Sequence, residues 1–182
     1  MKKAKMLLAV ILSATMILGG TITTYAASTD VTIEVEATVM DRVSVTVPTT
    51  LPILFNEDGS NTLPTNWTIE NRSAIAGIHL ASVSMDAKTT GWKLMAPSGD
   101  TKVLKADTKT IQFSLGKAGE LKMVTPTTGA ESATGMAEFG ETEITIPSGQ
   151  TQVLSFAVSR GAFTKAAAAA KAFDMVLTFA FN

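Results

Sequence analysis

Residues 31–47 constrain the fold more than any other stretch: Val31, Ile33, Val35, Ala37, Val39, Val43, Val45 and Val47 fall on alternate positions. Thr32, Glu34, Glu36, Thr38, Arg42, Ser44 and Thr46 fill the positions between, so the extended chain has one apolar face and one wet face. A helix turns about 100° per residue and would scatter the same valines around its circumference. β-Branched side chains at such density also lose rotamer freedom in a helix. The period is therefore two. Asp41 alone breaks the apolar register, which predicts a bulge or bend dividing the run into two strands. A ribbon with one apolar face needs a second sheet to cover it.

Ahead of this ribbon, Lys2, Lys3 and Lys5 precede an uncharged apolar run over residues 6–18, then Gly19, Gly20 and the small-residue segment Thr24-Tyr25-Ala26-Ala27. That order is the pattern of a secretory signal peptide, with the cut expected after Ala26. The apolar run is shorter than the roughly 20 residues that span a bilayer. We therefore expect residues 1–26 to be the signal and residues 27–182 to form a single domain. The product is expected to be secreted, extracellular or envelope-associated, and not membrane-spanning after processing. The chain has no cysteine, so its stability outside the cell must come from sheet pairing and packing. Removing three signal lysines from 15 basic side chains leaves 12 against 16 acidic ones, a formal charge of −4. The basic residues are scattered, which argues against a nucleic-acid partner.

Further along, turn residues and short alternating runs repeat. Pro48 and Pro52 bound the first ribbon, because proline cannot donate to a ladder. Ile53-Leu54-Phe55 reads as a short strand, residues 67–71 as its return with Trp67 and Ile69 on one face, and residues 76–85 as another strand blurred near Gly77. Trp92 and Leu94 share a face, with Lys93 turned away. Ile111, Phe113 and Leu115 mark a clear strand, and residues 121–124 a weaker one. Threonine, glycine, alanine and serine dominate residues 126–140, which read as a long surface loop or an irregular edge. Residues 143–146 and 151–160 are strands, the second with a bulge expected where Val153 gives way to Phe156 and Val158. The alanine run within 164–171 predicts a short helix or crossover. The last strand is unambiguous, with Phe173, Met175, Leu177, Phe179 and Phe181 in phase. Eight to ten short strands and one Ala-rich helix or crossover predict an all-β sandwich or jelly-roll.

Reactive groups are sparse. His79 is the single histidine and lies within a strand pattern; no serine sits in a Gly-x-Ser-x-Gly elbow. One histidine without cysteine cannot build a zinc site of the usual three-ligand kind. No glycine-rich phosphate loop opens a helix. We therefore expect no enzyme activity and no cofactor. Oxygens around Asp58-Gly59 could hold calcium, but their spacing is not that of a calcium loop, and a hairpin with Gly59 at positive φ is the expectation. Asn66-Trp67-Thr68 and Asn71-Arg72-Ser73 are formal glycosylation sequons. Trp67 and Trp92 could stack on sugar rings if exposed, but each alternates in phase with an aliphatic, which favours the core.

At Thr90-Gly91-Trp92-Lys93-Leu94-Met95-Ala96 the sequence resembles the first signature of WxL-domain proteins, surface proteins of Gram-positive bacteria whose C-terminal domain attaches non-covalently to peptidoglycan. Residues 45–55 and 177–181 fall where that family places a strand leading into a proline turn and its second motif, although Phe179 and Phe181 stand where that motif carries tryptophan and leucine. The resemblance implies a related β-sandwich in a cell-envelope setting, with Trp92 and Leu94 as a wall-binding or structural motif. The expected function is a secreted, non-enzymatic cell-surface protein that binds peptidoglycan, another wall polymer or other surface proteins. The alternative is self-association, as an extracellular fibre or matrix subunit that donates its N-terminal strand to a neighbour.

Overall fold

The computed structural model describes residues 29–38, 44–56, 58–74, 76–87, 89–164 and 170–182. Fifteen strands run through them: β1 (Thr29–Thr38), β2 (Val45–Thr46), β3 (Thr50–Phe55), β4 (Asn61–Thr62), β5 (Trp67–Asn71), β6 (Ile78–Asp86), β7 (Lys93–Met95), β8 (Thr110–Lys117), β9 (Glu120–Met123), β10 (Thr125–Pro126), β11 (Glu131–Ser132), β12 (Thr134–Glu138), β13 (Thr145–Ile146), β14 (Thr151–Arg160) and β15 (Ala170–Phe181). They form a sandwich of two mixed sheets, as the alternating pattern requires. The larger runs β10-β12-β6-β15-β1-β3-β4, with β13 also on β6; the smaller runs β11-β7-β8-β14-β5-β2, with β9 also on β8. Strands outnumber the expected eight to ten because several connections pair for two residues only. Of residues 164–171, expected as a helix or crossover, Ala170 and Lys171 instead open β15, and residues 165–169 lie outside the described residues, as do the signal segment and the bend expected at Asp41.

The two halves of the opening ribbon enter different sheets. Val31, Ile33 and Val35 of β1 are buried and Glu34 and Glu36 exposed. β2 lies across the sandwich against β5, with Val45 and Val47 packed on the same core. β1 is interior: it pairs antiparallel with β3 on one side and parallel with β15 on the other. In β15 the pairing skips Ala172. That bulge turns the Ala172 carbonyl to accept a hydrogen bond from the Thr90 hydroxyl at 2.6 Å. Phe173, Met175, Leu177 and Phe179 are buried as expected, while Phe181 at the strand's end remains 38% exposed.

Several sequence expectations are corrected by pairing geometry. The strand read as Ile53-Leu54-Phe55 begins earlier, at Thr50, and contains Pro52. β4 covers only Leu54 and Phe55 of its outer side, so Pro52 sits where the ladder has an open edge and no donor is needed. The return strand from that hairpin is β4; residues 67–71 cross to the other sheet and pair with β14 and β2. Within 126–140, read as a long surface loop or an irregular edge, β12 pairs with five residues of β6 beside the two-residue terminal strand β10. Its inward positions Gly135 and Ala137 are small because the layer is thin there. A Cβ on Gly135 would come within 2.4 Å of Leu94 Cδ1 and 2.8 Å of the Thr125 carbonyl. In β14 the pairing continues without a slip: Leu154 and Phe156 are buried, and Val153 faces outward.

Across β1 and β15, Lys171 Nζ lies 2.5 Å from both Glu34 Oε2 and Asp174 Oδ1. Hydrogen bonding to Asp174 and then Glu34 pushes the Lys171 ammonium up to about 12 from 10.5. The sign follows from linkage: with the folded value above the unfolded one, the contribution is full below about 10.5 and disappears as pH rises through about 12. Thermal melts of wild type and Lys171→Gln should therefore differ at neutral pH and converge by pH about 12; melting curves whose separation is unchanged across that window contradict the assignment. For packing, Gly135→Ala should lose about 1–3 kcal/mol in urea unfolding, as overfilled cores do. Gly140→Ala, whose nearest neighbour atom would lie 3.7 Å away, should be close to neutral.

Candidate functional site

Trp92 and Leu94, the two positions singled out from the sequence, are buried to 4% and 0% exposure. Gly91, at φ +76°, turns the chain so that Trp92 enters between the sheets. There its ring lies 6.1 Å from Phe55, 6.1 Å from Phe163 and 6.3 Å from Phe173, measured between centroids. Leu94, two residues on, faces the glycine of β12. Trp67 is likewise internal, edge-on to Phe156 at 5.5 Å, with its indole N–H donating to the Thr50 carbonyl at 3.0 Å. That hydrogen bond satisfies the one polar atom the ring carries into the core. Neither tryptophan presents a face to a glycan.

The aromatic cluster is closed by Arg160. Its guanidinium stacks 4.8 Å from the Phe55 ring and 5.3 Å from Phe163, and donates to the carbonyls of Asn56 and Gly161 and to Asn61 Oδ1. These contacts fix the hairpin β3–β4 against the end of β14. Within that hairpin Gly59 takes φ +85° and the Asp58 carboxylate accepts from the Ser60 hydroxyl and backbone N–H, which hold Asp58 below its ordinary value. Asp58 therefore serves the turn. His79 Nδ1 lies 3.0 Å from Asn182 Oδ1 on a strand interior to the larger sheet. Asn71 of the second sequon is wholly buried: its amide donates to Ala76 and Ile146 carbonyls and accepts from the Ser73 N–H. A glycan could not be attached there in the folded chain. Asn66 of the first sequon is exposed.

On the larger sheet's outer face, Asp86, Asp174 and Glu34 stand in one cross-strand row over β6, β15 and β1. Lys171 bridges the last two. Among the described residues no three histidine, cysteine or carboxylate side chains come together as a metal site.

Residues 126–140 help to form an open, shallow groove. Met136, 42% exposed, makes its apolar floor with Pro126, while Thr125 and Thr127 line it and Lys122 and Glu138 stand at its rim. Lys122 is pinned: Nζ lies 2.7 Å from Glu143 Oε2, donates to the Glu138 carbonyl and sits over the Phe139 ring. Bonding to Lys122 and to the Gly140 N–H holds Glu143 below its ordinary value. The two threonine hydroxyls are engaged within the protein, Thr125 with the Met136 carbonyl and Thr127 with Thr134. Sequence reasoning passed over these residues because threonine and glycine dominate the segment; the available signal was the alternation of Gly135, Ala137 and Phe139.

Comparison with protein-family models, curated proteins and solved structures returns no match for this chain.

Burial of Trp92 gives a direct test of its role. Trp92→Ala should lose about 3–5 kcal/mol of unfolding free energy, the range for deleting a buried aromatic. Trp92→Phe, which keeps an aromatic ring among Phe55, Phe163 and Phe173, should lose less; an unchanged urea midpoint for Trp92→Ala would contradict the packing.

Proposed function

We propose that this chain is a secreted, non-enzymatic cell-surface protein that binds wall polymer or other surface proteins through its outer surface. The observation that carries the reading is the groove over Met136: Met136 and Pro126 beside Thr125 and Thr127, with Lys122 held in place among the lining residues. Binding by contact needs a rigid, pre-shaped surface, and such a site loses little conformational entropy when occupied. The ionisable side chains described above already serve structure. His79 contacts Asn182, Asp58 holds Ser60, Glu143 engages Lys122, and Lys171 joins two strands. The signal-like opening of the chain suits export. The resemblance at Thr90-Gly91-Trp92-Lys93-Leu94 to the WxL signature suits the envelope, with Trp92 and Leu94 acting from inside the domain.

Sedimentation with purified Gram-positive cell walls tests the reading. The chain from residue 27 onward should pellet with the walls, and Met136→Glu, which places a charge on the exposed apolar floor, should lower the bound fraction several-fold while leaving the melting temperature unchanged. Wild type left in the supernatant would sink wall attachment. Equal pelleting of Met136→Glu would remove the groove as the site.

A further inference from the structure

We infer that β1 can be exchanged between two copies of this chain, one copy's β1 filling the slot between the other's β15 and β3. This goes beyond wall binding and does not depend on it. Four features of the molecule converge on it.

β1 is the first described strand, yet it lies inside a sheet and not at its edge, flanked by β15 and β3. Neither neighbour is joined to it by a tight turn. β15 lies at the far end of the chain, and the route to β3 passes through β2 in the opposite sheet. Val31, Ile33 and Val35 fill the slot with buried side chains, so a neighbour's copy of the same strand fits it without any new complementarity.

Second, the apolar positions of β1 and β2 are in one phase. Val31, Ile33, Val35, Ala37, Val39, Val43, Val45 and Val47 are all odd-numbered, although the structure distributes the run over two sheets. Asp41 alone interrupts that phase, so an extended form joining the two halves keeps the alternation at every other odd position and places one carboxylate on the apolar face. Straightened between β1 and β2, the ribbon would carry β1 away from its own sandwich and towards another.

Third, the interior slot offers a longer ladder than the open runs at the described sheet ends, such as residues 50–53 of β3 and residues 67–69 of β5. The terminal strands β10, β4, β11 and β2 are two residues long each. Short edges are a standard means of preventing edge-to-edge addition. An interior slot is the longer ladder: β1 registers with eight residues of β15 and six of β3.

Fourth, Lys171 bonds Glu34 across the slot. The same pair would re-form between copies and helps fix the register of an incoming strand.

The natural absence of cysteine permits a clean test. Glu34 and Thr50 stand directly opposite each other across β1 and β3, both exposed. Glu34→Cys and Thr50→Cys chains, each from residue 27 onward, are mixed, unfolded, refolded together at high concentration and oxidised. Exchange places the thiol introduced at position 34 of one copy opposite the thiol introduced at position 50 of the other, so the mixed disulfide dimer should exceed either like-with-like dimer several-fold. A mixture of Glu34→Cys with Thr151→Cys, whose site lies in the other sheet, should show no such excess. Refolded at high dilution, the single chain bearing both Glu34→Cys and Thr50→Cys should close its own disulfide and remain monomeric, showing that the substitutions fold and locking β1 in place. A mixed dimer at no more than the statistical share, with that locked chain folded, overturns the inference. Wall pelleting of the locked monomer is read separately, so loss of one reading leaves the other standing.

Discussion

The structure depends on the parallel ladder between its first and last described strands. β1 and β15 pair from Val31 with Ala170 to Thr38 with Thr178, so the ladder encloses nearly all of the described chain. No cysteine reinforces it. Closing so long a loop costs entropy that grows only logarithmically with length, and the cost is met by burying Val31, Ile33 and Val35 against Phe173, Met175 and Leu177 in one core. Without that ladder the larger sheet would fall into two parts, β10-β12-β6-β15 and β1-β3-β4. Non-local pairing of this kind slows folding, because the loop-closure entropy is paid before the contacts reward it.

The aromatic residues follow from this closure. The bulge at Ala172 delivers its carbonyl to Thr90, and the turn at Gly91 then sends Trp92 inward onto Phe173 of the same strand. Phe55 from β3 and Phe163 from the approach to β15 complete the packing, with Arg160 over both rings. The segment that looks most like a recognition motif thus fastens the end of the sandwich. Exposed Met136 and the ion-paired Lys122, Lys171 and Glu34 lie on the outside instead.

How much of this could be read beforehand varied with the physical signal. Period-two alternation reports which face a residue occupies, so β1, β5, β8 and β15 were legible, as was the placement of Trp67 with Ile69 and of Trp92 with Leu94. Alternation does not report which strand lies alongside. Asp41 signalled a break within residues 31–47 but not that its two halves enter different sheets, and the departure of residues 67–71 from the β3 hairpin had no signature in the residues themselves. β12 was missed for a different reason. Leu94 and the Thr125 carbonyl crowd its inward Gly135, Ala137 is small as well, and small residues in a threonine-rich segment have the composition of a loop. The groove over Met136 went unseen with it. Val153 misled because its hydrophobicity suggested the inner face, whereas the pairing turns Leu154 and Phe156 inward.

Short edges and an interior terminal strand have a joint consequence for how the chain meets its own copies. Exchange of β1 replaces each contact in the slot with the identical contact from another copy, so the slot itself contributes almost nothing to the difference between the two states. What remains is the segment joining β1 to β2 and the entropy of bringing copies together. A strand tethered by a short segment competes at an effective concentration on the order of millimolar, which keeps dilute chains closed on themselves. The balance moves only where copies are crowded, as at a surface that retains them. Retention of the kind the groove could provide would then set the local concentration on which exchange depends, coupling two properties that share no residue.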